Sequence, residues 1–136
     1  MDHQYYFSKL DYDNVIKENA RAVKVYGEFT DCGWILDSLS RCYETLALAY
    51  AYKNEYDRCL DHLEKACECA LKYDGLDYDL TYKIYDVPDE IGMEEEKLQA
   101  SRSLLGALSS PEREIYAPIR ETKRFKAIVV KLEEGN

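Results

Sequence analysis

The stretch SRCYETLALAYAYKNEYDRCLDHLEKACECALKY, residues 40 to 73, decides the fold. Within it Leu60, Leu63, Cys67 and Ala70 recur at steps of three and four, the apolar stripe of an amphipathic helix that should reach about Tyr73. Upstream, Ile35, Leu39, Tyr43, Leu46 and Tyr50 fall on one face of a helix that Thr30 or Asp31 can start and that runs to about Lys53. Two antiparallel helices approach closely only where one side is small, so Ala47, Cys59 and Ala66 are expected to make room for the neighbouring aromatics.

Working outward, Val15, Ile16, Ala20, Val23 and Tyr26 keep helical spacing behind Asp11 and Asp13, either of which can cap, and Gly27 ends a first helix over about 13 to 27. After Gly75 the pattern changes. LDYDLTYKIYDVPDEIG holds too many acids for a buried strand, and a long ordered loop is expected, with Tyr78, Tyr82 and Tyr85 able to dock on the core or lie along a helical face. Glu94 to Glu96 favour a helix N-terminus, and Leu98, Leu105 and Leu108 supply the stripe of a helix over about 94 to 109. Ser110 and Pro111 suit a cap and first turn, Pro118 breaks the segment after them, and Phe125, Ile128, Val129 and Leu132 mark a last helix over about 122 to 134. The expected fold is all-α, an antiparallel helix-pair array of about five main helices in one domain over 1–136, the last pair (94–134) being degenerate.

The 34-residue stretch resembles a tetratricopeptide repeat, a helix-turn-helix unit of that length. Tyr43 stands for the first large aromatic, Leu46 and Ala47 for the Leu-Gly pair, Tyr50 for the Tyr ending the first helix, and Tyr56, Cys59, Leu63 and Ala66 come next in the second. Asn54 replaces the usual turn Gly and no Pro ends the unit; Asn tolerates the left-handed conformation at a helix C-terminus. GEFTDCGW, the repeat-like pair, KYDGL and YAPIRETKRFKAIVVKL together resemble the tetratricopeptide-like tail of bacterial helix-turn-helix transcription regulators of the Xre-like type. The ending that carries this is an aromatic, Pro118-Ile119-Arg120, a charged trio, Arg124 to Ile128, and Lys131-Leu132. It also closes arrays attached to other effector domains. No DNA-binding head is recognisable, so the resemblance is to the tail alone.

Composition narrows the function. With 136 residues and 46% hydrophobic content the chain suffices for one core. Five cysteines at expected helical positions lack the even, loop-rich framework of a secreted disulfide scaffold, which favours a reducing cytoplasm. No apolar run approaches the roughly 20 residues of a membrane span, and MDHQYYF lacks the basic and apolar regions of a signal peptide. A net charge of −9 opposes phosphate backbones, so direct nucleic-acid binding is not expected. The charge is uneven: acids dominate residues 74 to 96 and basic residues dominate 113 to 131, which reads first as a solvated acidic loop and a basic final helix, with pairing of the two within the chain or between protomers as the alternative.

The residue types for catalysis are sparse. Cys59, His62 and Cys67 or Cys69 share helical faces at metal-ligand spacing, but the simpler reading makes Cys59 and Cys67 small core residues and His62 solvated. A Cys–His dyad lacks an identifiable orienting partner, His3 lies in a terminal stretch, and the six glycines are too scattered for a phosphate loop. No enzyme, cofactor or metal is inferred. The resemblance instead implies a concave binding face on the first helix of the pair, at Arg41, Glu44, Leu48 and Tyr52, whose spacing places them on one side opposite Tyr43, Leu46 and Tyr50. A peptide, small ligand or protein is the implied partner. Glu44 and Leu48 replace the Lys and Asn with which chaperone-binding arrays clamp a terminal carboxylate, which disfavours that partner. Two roles fit: the sensing and dimerising tail of a transcription regulator, with a homodimer hiding the apolar edge of the first helix, or a free-standing adaptor between proteins.

Overall fold

In the computed structural model, residues 11–29, 33–76, 100–111 and 113–135 are described. Among them every element is helical: α1 (Tyr12–Tyr26), α2 (Gly33–Tyr52), α3 (Tyr56–Asp74), α4 (Ala100–Ser109) and α5 (Lys123–Glu134), with 3-10 segments at Gly27–Phe29 and Glu114–Ile119. The fold is an all-α array of packed helix pairs. Candidate caps Thr30 and Asp31, the loop tyrosines Tyr78, Tyr82 and Tyr85, the acidic start of the fourth helix, and His3 lie outside the described residues.

The pair α2 and α3 forms the centre. Ser40 donates to the Ala66 carbonyl at 2.9 Å, Lys65 lies over the Tyr43 ring and Arg58 over the Tyr50 ring. Partner numbers fall on α3 as they rise on α2, so the helices run antiparallel. The connection turns at Asn54, whose φ is 63°, in the left-handed region where asparagine is tolerated better than most residues. Ala47, Cys59 and Ala66 are all fully buried, as the close approach of the two helices requires.

Around this pair the main core gathers Leu60, Leu63, Leu104, Leu108, Tyr116, Ile119, Phe125, Ile128 and Leu132. A smaller cluster of Ile35, Leu36 and Leu39 receives Val23 and Tyr26 from α1. Asp11 caps α1 by accepting from the Asn14 amide, and Thr122 caps α5 by accepting from the Phe125 amide. The buried side of α1 passes through Val15 and Asn19, whereas Ala20 is exposed. Asn19 is tolerated there because its side-chain amide donates to the Val15 carbonyl one turn back, at 2.9 Å. On α4, Ser101 and Leu104 join Leu108 in the core while Leu105 is only partly covered.

Two connections arise from tertiary contacts. The Asp74 carboxylate, at the end of α3, accepts from the amides of Ala100 and Ser101 at 2.6 and 3.0 Å and from the Ser101 hydroxyl, capping α4 across the intervening chain. Ser110 and Pro111 open a turn rather than a helix, closed by the Arg113 amide on the Ser110 carbonyl at 3.1 Å. The chain then winds through the 3-10 helix that contains Pro118. Arg120 fastens this turn by donating through Nη2 to the carbonyls of Ser110 and Arg113, at 2.7 and 2.9 Å.

Candidate binding face

The four residues assigned to a concave face lie along α2 and meet different surroundings. Arg41 is largely exposed and pairs with Asp37 one turn back at 3.2 Å. Glu44 is mostly covered, with Nη2 of Arg113 at 4.0 Å from its carboxylate. Leu48 is partly buried against the main core, and Tyr52 remains 41% exposed while its ring stacks on Tyr12 at 5.2 Å. The face is thus open at Arg41, roofed near Glu44 by the segment containing Arg113, and flanked by α1 at Tyr52.

The centre of this face is electrostatically unsettled. Burial pushes the Glu44 carboxyl above its usual pKa, and the attraction of Arg113 and then Arg41 only partly opposes it. Beneath it, Tyr116 is fully buried with its hydroxyl beside the Arg113 guanidinium. Burial drives the Tyr116 hydroxyl pKa upward, with Cys59 and Glu44 adding to the shift and Arg113 opposing it. The tetratricopeptide resemblance assigns Glu44 to the face, but neither it nor the residue spacing gives a sign of Arg113 and Tyr116, which arrive from about seventy residues downstream by folding.

The cysteines and histidine are placed apart. Cys59 and Cys67 lie in the core, and burial pushes the Cys59 thiol up to about 12. Burial also raises Cys42, Cys67 and Cys69, so these thiols hold their protons near neutral pH. His62 lies beside the rings of Tyr50 and Tyr43, at 5.1 and 6.1 Å between centroids, with Nδ1 at 2.7 Å from the Arg58 carbonyl. Among the described residues, no group of three His, Cys, Asp or Glu side chains is arranged to hold a metal ion.

The basic residues of the C-terminal segment are largely engaged within the molecule. Arg124 reaches α3, where it pairs with Glu64 and Asp61, each at 2.7 Å; Lys126 pairs with Glu121 at 3.0 Å, and Arg120 holds backbone carbonyls. The second pair is therefore tied to the first by charge as well as by packing. No helix among the described residues is long and apolar enough to cross a membrane. No protein-family model matches this chain, and no curated protein or solved structure matches it either.

Proposed function

We propose that this chain is a non-catalytic binding and dimerisation domain that serves as the regulatory tail of a helix-turn-helix transcription regulator in a bacterial cytoplasm. The observation that carries the binding role is Glu44, a desolvated carboxylate in the middle of the α2 face whose nearest cation stands 4.0 Å away. A ligand or protein segment that brings its own ammonium or guanidinium group to Glu44 would make a closer charge-assisted contact than Arg113 does. Exposed Arg41 and Tyr52 flank it and supply a charge and an aromatic surface for the rest of the ligand. Self-association has apolar surface to use as well: Val25, Phe29 and Trp34, around the connection of α1 to α2, are 58%, 52% and 42% exposed.

In a regulator, ligand binding on this face would alter how the segment containing Arg113 seats on α2, and so the relative placement of the two heads in a dimer. Coupling requires only that the ligand favour one seating over the other. A free-standing adaptor would use the same face without a DNA output. The gene sequence immediately upstream of Met1 separates the two: an in-frame helix-turn-helix supports the regulator, and a stop codon directly before Met1 sinks it in favour of the adaptor.

A further inference from the structure

We propose that the cavity between α4 and α5 is a second binding site, for a carboxylate carrying a short aliphatic tail. The cavity has a volume of about 400 Å³, within the range of small-ligand sites. Leu108, Phe125, Val129 and Val130 give it an apolar wall, and its charged lining residues, Arg120 and Lys126, are both cationic. Val130 is 48% exposed although it belongs to this wall, so a large apolar side chain stands open to water where a ligand tail would cover it.

The polarity of the ligand is set by Arg120. Its guanidinium is permanently charged, yet the bonds of Nη2 go to two neutral carbonyls, and among the described residues no carboxylate pairs with it. Its Nε–H is buried and has no partner. A partly buried cation without a counter-charge is costly, and an anion entering the cavity beside it relieves that cost. Lys126 leans toward the exposed Glu121, so it is a secondary contributor. A cavity of about 270 Å³ between α3 and α5 differs in charge. It is rimmed by Glu64, Glu68, Lys72 and Lys131, whose charges balance, and it makes no comparable demand for an ion. No residue of α2 lines the larger cavity, so it is separate from the face around Glu44.

Amide-shift titration of the whole chain with octanoate, alongside octanol and octylamine, tests the assignment. Octanoate is expected to give saturable shifts centred on Phe125, Val129 and Val130, with an affinity about tenfold above that of octanol, as one charge-assisted hydrogen bond implies. Octylamine should bind more weakly than either. Arg120→Gln should remove the preference of octanoate over octanol. Because Arg120 also fastens the turn, Val130→Glu, at an exposed position, provides the second variant and should abolish octanoate binding while leaving the spectrum folded. Equal affinity for octanoate and octanol, absence of a saturable shift, or undiminished octanoate binding by folded Val130→Glu would overturn the proposal.

Discussion

Cys59 has no exposed surface and sits where α3 closes on α2, so its size sets how near the helices come. Replacing it with Leu should overpack the junction and cost about 1 to 3 kcal/mol, read as a lowered denaturant midpoint with the slope preserved; an unchanged midpoint would remove Cys59 from the junction. Glu44 makes the complementary prediction for charge. Its folded-state pKa is raised, chiefly by burial, above the ordinary 4.5. Stability associated with its protonated form is therefore fully present below pH 4.5 and is lost as pH rises through the raised value. Glu44→Gln should then gain stability relative to the parent as pH rises from 4.5 through the raised value, and no further above it, measured by paired denaturant titrations. A difference between the two proteins that does not vary with pH would contradict the burial of this carboxyl. The small residues of the junction were legible from spacing alone, since sterics demand them. Buried Asn19 and Ser101 were not, because their polar atoms are satisfied by the Val15 carbonyl and by remote Asp74, and neither bond leaves a mark on apolar periodicity.

The turn between α2 and α3 rests on Asn54 in the left-handed region. Asn54→Ala should cost about 1 kcal/mol, because a Cβ is strained there without the local hydrogen bonding open to asparagine, while Asn54→Gly should be neutral or mildly stabilising. Thermal melts of both variants check this, and an alanine variant that melts with the parent would show that the turn carries no such strain. The element boundaries that obey local chemistry were readable: Asp11, one of the two expected cap candidates, caps α1, and α2, α3 and α5 run close to the expected lengths. The features that escaped were set at a distance. The start of α4 is capped by a residue from the end of α3, and the 3-10 helix around Pro118 is stabilised by Arg120 reaching back over the turn at Ser110. A carboxylate twenty-six residues away or an arginine closing its own loop is chemically ordinary, but sequence spacing alone does not pick it out.

For the whole molecule the net charge of −9 governs encounters with polyanions, and the local excess of basic residues near the C-terminus is largely spent internally. Of Arg120, Lys123, Arg124 and Lys126, Lys123 alone is exposed and without an ion pair or hydrogen bond among the described residues. The chain alone should therefore show no measurable affinity for random duplex DNA near physiological salt in an anisotropy titration. Micromolar binding with a steep salt dependence would mean that the internal pairs yield to phosphate, and that the tail itself touches DNA.

The α2 face around Glu44 is expected to receive a partner. Peptides selected from a random library against the intact chain, then mapped by amide shifts, address it directly. The selected sequences should carry a basic residue, with shifts centred on Arg41, Glu44, Leu48 and Tyr52 that disappear in Glu44→Gln. Selected peptides lacking basic residues, or shifts centred elsewhere and unaffected by Glu44→Gln, would contradict it.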